Sequence, residues 1–154
     1  MTLHLGPNGD SGAIVARQFK APPAFVLLAH TDPALIRRWM VGLEGRTLPV
    51  CHSHARPGGS FRLEWSDGKD ISFHATGAHI EVTPRRIVHI ERMFLPGPTP
   101  DNHVETRFDP LGTGTAMTVT MTLATADAVL ASGMTEGLVD SYARLETLLE
   151  ENHA

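Results

Sequence analysis

The segment from Asp127 to about Glu151 repeats its apolar residues with the period of an α-helix. At about 100° per residue, the side chains of one face fall on an arc of roughly 120°. The residues on this arc are Leu130, Met134, Leu138, Ser141, Tyr142, Leu145, Leu148 and Leu149. Thr125 is a candidate cap for the first turn. The pattern predicts an amphipathic helix about 38 Å long, which needs an apolar surface to cover.

Between residues 46 and 123 the sequence alternates apolar and polar residues in short stretches, each ending at a turn. "SFRLEW" and "TAMTVTMTLA" show the period of two that is typical of strands with one buried face. The turns are Arg56-Pro57-Gly58-Gly59, Ser66-Asp67-Gly68-Lys69, Thr83-Pro84 and Leu111-Gly112-Thr113-Gly114. Strands joined by such turns run antiparallel, and an antiparallel sheet has one face to bury. Of the predicted elements, the C-terminal helix alone is long enough to cover it.

Two short helices are predicted before this sheet. Residues 12–20 alternate as a strand, and Pro22-Pro23 can then begin a helix because proline is favourable in the first turn. Thr31-Asp32-Pro33 is a second helix start, and Gly42 ends that helix. The predicted fold is therefore α+β. It is a curved antiparallel sheet of about six to seven strands wrapped on a long C-terminal helix, with two short helices after the first strand.

Length and charge restrict the class of protein. The chain of 154 residues fits one domain over residues 11–151, after a flexible N-terminus at residues 1–10. Its 13 basic and 17 acidic residues leave a net charge of −4, which is not the basic surface that nucleic acid requires. The single cysteine, Cys51, cannot form an internal disulfide. We see no membrane-spanning stretch, secretion signal or nucleotide-cofactor motif, and we expect a cytoplasmic protein without a cofactor.

Four segments resemble a known family. They read "FKAPPAFVLLAHTDPALIRRWM", "VCHSHARPGGSFRLEW", "GAHIEVTPRRIVHIERM" and "GMTEGLVDSYARLETLL". In this order they resemble the START-like (SRPBCC), helix-grip superfamily. More closely, they resemble the family named for the C-terminal domain of the activator of heat-shock protein 90 ATPase. The resemblance covers residues 15–149 and implies a sheet that grips the C-terminal helix, with a space between them.

The functions found in that superfamily differ widely, because fold does not determine function. It includes carriers of apolar small molecules, polyketide cyclases and co-chaperone domains. The chain also departs from the family pattern. Residues 51–55 read Cys-His-Ser-His-Ala where relatives commonly read "CEMDL", and His79 replaces a Tyr or large apolar residue. These changes predict a smaller and more polar neighbourhood around the site.

A set of large apolar residues, with two hydroxyl groups, could line the space between sheet and helix. Methionine suits irregular ligands, and a mainly apolar pocket with few polar groups is typical of small-molecule sites. The predicted lining residues are Trp39, Phe61, Trp65, Phe73, Met117, Met121, Met134, Leu138, Ser141 and Tyr142. For most of them, an ordinary core position is the alternative.

Two His–Glu pairs lie on predicted strands at a spacing of two, so each pair shares one face. A pair facing the interior could act as a general acid and base, because histidine titrates near neutral pH. Ile80 and Val82 alternate with His79 and Glu81, which predicts that the first pair points outward. His89 and Glu91 are the catalytic candidates, although the alternation of residues 87–94 leaves their face open.

His52 and His54 share one face of a predicted strand, where they could be two ligands of a metal ion that also needs a third ligand. The alternative is that both face the solvent, and we predict no metal. The leading prediction for function is binding of a small hydrophobic or amphipathic molecule. An enzyme of cyclase or hydrolase type and a stress-related co-chaperone-like interaction domain are the alternatives. A homodimer is left open.

Overall fold

A computed structural model describes residues 3–7, 12–41, 45–69, 71–94, 98, 101–122 and 134–152. The sheet strands are β1 (Leu3–Pro7), β2 (Gly12–Phe19), β3 (Thr47–Ser53), β4 (Ser60–Ser66), β5 (Ile71–Thr83), β6 (Arg86–Phe94), β7 (Asn102–Leu111) and β8 (Gly114–Thr122). The helices are α1 (Pro23–Thr31), α2 (Pro33–Trp39) and α3 (Met134–Asn152). All neighbouring strands pair antiparallel in the order β1-β2-β8-β7-β6-β5-β4-β3, which confirms the predicted α+β fold.

Strand β1 is not among the predicted elements. The sequence predicts a flexible start at residues 1–10, whereas Leu3–Pro7 pair with Ala13–Arg17 of β2. An edge strand is held by backbone hydrogen bonds to its neighbour, and these need no apolar period in the sequence. The predicted first turns of the C-terminal helix, residues 127–133, and most of the proline-rich loop at 95–103 lie outside the described residues.

The two short helices begin as predicted. Pro22 and Pro23 open α1, and the carboxylate of Asp32 accepts a hydrogen bond from the backbone N–H of Ala34 at 3.0 Å, which caps α2. The indole N–H of Trp39 donates to the carbonyl of Ala29 at 2.9 Å. This buried bond fixes the angle between the two helices, so that Trp39 packs beneath both.

The core consists of two apolar clusters on the concave face of the sheet. The central cluster joins β2, β6, β7 and β8 to the helices, and its buried members include Val15, Phe19, Trp39, Ile87, Phe108, Met117, Val119, Tyr142, Leu145, Leu148 and Leu149. The β4 cluster lies toward the β3 edge and contains Ile36, Leu48, Cys51, Phe61, Leu63, Trp65, Ala75 and Met93. Met40 packs against both clusters. The strip of sheet between them carries polar side chains.

Helix α3 is also joined to β2 by charge. The guanidinium of Arg17 lies 2.6 Å from the carboxylate of Glu146, and the Arg17 side chain is only 8% exposed. Arg17 therefore faces the interior with Val15 and Phe19, and its charge is neutralised there by the helix that covers the sheet.

Candidate functional site

Polar side chains from three strands lie along the strip between the two clusters, and His30 of α1 lies against Trp39 and Phe108 of the central cluster, close enough to His89 for its charge to act on the ring. We call these residues, His30, Ser53, His79, His89 and Glu91, the histidine seam. His79 is 7% exposed, and the side chains of His89 and Glu91 are 20% and 22% exposed. The seam is thus a partly accessible polar surface on the face of the sheet that the helices cover.

The orientation predicted for His79 is wrong. His79 points inward and is buried, whereas Ile80 is 48% exposed on the convex face. The reason is a bulge: His79 pairs with His89, but Glu81 pairs with Val88, so Ile80 is an extra residue in β5.

The bulge also separates the two members of the first His–Glu pair. Val82 packs against the central cluster as predicted, which places Glu81 on the convex face. Glu81 lies there 3.5 Å from the guanidinium of Arg86. His79 and Glu81 therefore face opposite sides of the sheet, and only the histidine belongs to the seam.

The turn at residues 56–59 holds the backbone of His79. The N–H of Gly58 donates to the carbonyl of His79 at 2.8 Å, and the N–H of His79 donates to the carbonyl of Gly59 at 2.7 Å. Gly58 has a φ of 81°, and a Cβ on Gly59 would collide with the carbonyl of His54. The two glycines of the Arg-Pro-Gly-Gly sequence are thus required by geometry, and they place His79 at the seam.

The ring of Phe61 lies between the two strand histidines. Its centroid is 5.4 Å from that of His79 and 5.3 Å from that of His89, the latter edge-to-face. Gly77, its neighbour on β5, has no side chain to push the ring away from the sheet. Nε2 of His79 lies 3.3 Å from Oγ of Ser53, and the two histidine rings are 6.2 Å apart. Burial, and then the charge of His89, lower the pKa of His79.

The second His–Glu pair does face inward. Ile87 and Met93 are buried with it on the concave side, while Ile90 and Arg92 are exposed. Nε2 of His89 lies 3.7 Å from the carboxylate of Glu91. That separation is longer than a hydrogen bond, so the two groups form an ion pair only when His89 is protonated. A role of the pair in proton transfer stays a prediction.

His30 is a seam residue that the sequence analysis missed. It lies in the last turn of α1, and its ring contacts Trp39 and Phe108 at centroid distances of 4.9 and 5.1 Å. Burial lowers its pKa to about 4, against the raising effect of a hydrogen bond to Val26 and with a smaller lowering by the charge of His89. A histidine just before a helix end carries no local pattern that would single it out.

Some of the predicted lining residues belong to the core clusters, and others pack at the edges of these clusters. Trp39, Phe61, Trp65, Met117 and Tyr142 belong to the two clusters, and Phe73 and Met121 pack against them while partly buried. Ser141 is buried, and the side chains of Met134 and Leu138 lie outside the described part of the chain. Tyr142 stacks on Trp39, with ring centroids 5.7 Å apart. Burial and the nearby charge of Glu91 raise its pKa, so its hydroxyl stays neutral beside the seam.

His52 and His54 are exposed, with Ser53 between them turned toward the seam. Within the described residues, no three His, Cys, Asp or Glu side chains are grouped closely enough to hold a metal ion. None of the helices in this part of the chain is long and apolar enough to span a bilayer.

The low pKa of His30 predicts how stability depends on pH. The unfolded chain takes up the proton near pH 6.5, before the folded protein does at about 4. The contribution of neutral His30 is thus complete above pH 6.5 and is lost as the pH falls toward 4, on the order of 3 kcal/mol in total. Urea unfolding at pH 7.5 and 4.5 measures this loss in the free energy of unfolding, which should be smaller in His30→Phe than in the unmodified protein.

The control is a substitution of an exposed histidine, His52→Phe, which should keep the full loss. Equal losses in the two variants would contradict the assignment of this pH dependence to His30.

The curved sheet closed by a C-terminal helix, with two short helices after β2, is the START-like helix-grip fold. The chain belongs to the family described as "Activator of Hsp90 ATPase homolog 1-like protein", which matches residues 20–150. No curated protein matches the chain.

Solved structures share this fold over nearly the whole chain. A protein of Rhodobacter sphaeroides is 26% identical, with a TM-score of 0.88 over 97% of this chain and 99% of its own. Protein Ms6760 of Mycobacterium smegmatis is 20% identical, with a TM-score of 0.82 over 96% and 97%. Protein NE0264 of Nitrosomonas europaea is 22% identical, with a TM-score of 0.81 over 96% and 99%.

Proposed function

We propose that this protein binds a small hydrophobic or amphipathic molecule on the concave face of its sheet, beside the histidine seam and beneath α3. Proteins of this fold commonly bind hydrophobic ligands. The observation that carries the proposal is the histidine seam itself. Partly accessible polar groups lie between the two apolar clusters of the interior.

Such a strip is unfavourable in a protein that only needs a core. Burying a polar group without a partner costs free energy, so cores are normally apolar or fully hydrogen-bonded. Here the side chains of His89 and Glu91 keep about a fifth of their surface accessible, although both face the interior. Small-molecule sites typically have this composition, with a few polar groups among apolar walls.

A bound ligand should stabilise the folded protein. At a concentration of one hundred times Kd, an eight-carbon amphiphile is expected to add about 2.7 kcal/mol to the free energy of unfolding. For a chain of this size that raises Tm by about 5 °C or more. Thermal unfolding with and without the amphiphile, with titration calorimetry for Kd, measures both.

Two tryptophan substitutions form a matched control. In His89→Trp the larger ring fills the seam and should abolish the shift. His103 is exposed on the convex face, opposite Ile90, so His103→Trp should retain the shift. Loss of the shift in both variants, or in neither, would place the ligand elsewhere.

A further inference from the structure

The two ring nitrogens of His30 have different roles. Nδ1 lies 2.8 Å from the backbone carbonyl of Val26, one turn earlier in α1. A carbonyl oxygen can only accept a hydrogen bond, so Nδ1 must carry the hydrogen. In the neutral imidazole, Nε2 then carries a lone pair and no hydrogen, so it can only accept a hydrogen bond.

Nε2 of His30 has no hydrogen-bond partner among the described residues, although it is fully covered. Because Nδ1 is turned back toward α1, Nε2 points away from that helix, toward the interior between helix and sheet. Trp39 and Phe108 contact the ring, so a hydroxyl that reaches Nε2 must displace the side chains that cover it. A covered acceptor left without a donor is costly, and a ligand that supplies the donor removes that cost.

Glu91, the carboxylate of the seam, is also an acceptor. It is close enough to Tyr142 for its charge to act on that hydroxyl. Burial keeps His30 neutral at neutral pH and lowers the pKa of His79, and His89 lies beside the carboxylate of Glu91. A ligand carboxylate at Nε2 of His30 would therefore meet an acceptor lone pair, which cannot donate a hydrogen bond to it.

We propose that the polar end of the ligand is a hydrogen-bond donor, an alcohol or phenol hydroxyl, and that it donates to Nε2 of His30. This inference rests on the proposed function and specifies the ligand class. It follows from the hydrogen bond of Nδ1 to Val26 and from the covered, unpartnered acceptor at Nε2. The apolar remainder of the ligand lies against the two clusters.

A matched series tests the head group. The probes are 1-octanol, octyl methyl ether and octanoate, which share one alkyl tail and differ in whether the head donates, only accepts or is charged. Titration calorimetry at pH 7.5 is expected to show 1-octanol binding at least tenfold more tightly than either other probe. Equal binding of the alcohol and the ether, or tighter binding of octanoate, would overturn the inference and leave the proposed function standing. If none of the three probes binds, the proposed function itself fails.

A second experiment removes the acceptor, Nε2 of His30, by substitution. In His30→Phe, the alcohol and the ether should bind with equal affinity, because the acceptor that distinguishes them is gone. The exposed His103→Phe should keep the tenfold preference. A preference that persists in His30→Phe would contradict the assignment to this ring.

Long-range ¹H–¹⁵N NMR of the unmodified protein tests the assignment without any variant. His30 should show a protonated Nδ1 and a bare Nε2, and 1-octanol should move the Nε2 resonance upfield while octyl methyl ether leaves it in place. A hydrogen on Nε2 in the free protein would overturn the inference.

Discussion

Replacing Glu146 by glutamine is expected to lower the free energy of unfolding by about 3 to 5 kcal/mol. The substitution keeps the shape of the side chain but removes the charge that neutralises Arg17. The Arg17 side chain is 8% exposed and Nε has no partner among the described residues, so its positive charge would be left in a poorly solvated position. Urea unfolding followed by circular dichroism measures the loss.

The matched control is a second Arg–Glu pair whose glutamate lies on the same helix. Arg38 and Glu151 lie 3.4 Å apart, but their side chains are 50% and 58% exposed. Water screens this pair, so Glu151→Gln should cost less than about 1 kcal/mol. The double variant Arg17→Met with Glu146→Leu should recover most of the stability lost in Glu146→Gln, because no charge stays buried. Equal effects of the two glutamine substitutions would show that burial does not control the strength of these pairs.

Replacing Gly77 by alanine is expected to cost about 3 kcal/mol. A Cβ at this position would collide with the carbonyl of Ile90 on β6 and with the ring of Phe61 on β4. The carbonyl belongs to the sheet ladder and cannot move freely, so the ring must leave its place between His79 and His89. Urea unfolding measures the loss, and the ring proton shifts of the two histidines report the displaced phenylalanine.

Gly112 is the control for this substitution. It lies in the turn between β7 and β8 with a φ of 60°, and a Cβ there would meet nothing within 4 Å. Gly112→Ala should cost only about 1 kcal/mol, from backbone strain alone, and should leave the histidine shifts unchanged. A loss of stability in Gly77→Ala no larger than this would contradict the close approach inferred around Phe61.

Much of the fold could be predicted because each element carries its own local signal. The alternation of Phe61, Leu63 and Trp65 marks a strand with one buried face, and all three are buried. Asp32 and Pro33 mark the start of α2, and the capping bond is present. These signals act over a few residues, so they can be recognised without knowledge of the rest of the molecule.

The candidate site was only partly predictable. The sequence alone does not fix the face of His89, because both faces of β6 carry aliphatic side chains, and Val88 on the convex face is also buried. Alternation predicts the wrong face for His79, because one extra residue, Ile80, reverses the alternation. Residue 80 is neither glycine nor proline, so the sequence has no sign of a bulge there.

The amino-acid order determined most of the elements: strands β2 to β8 through their period of two, the short helices through their caps, and the long helix through its apolar face. Tertiary structure decided which polar groups meet. Arg17 and Glu146 are 129 positions apart, and His30 reaches the seam only because α1 is folded across the sheet. The apolar period of an element depends on the residues of that element alone. The charge and hydrogen-bond partners of a buried group, in contrast, come from other elements. The seam therefore exists only in the folded chain.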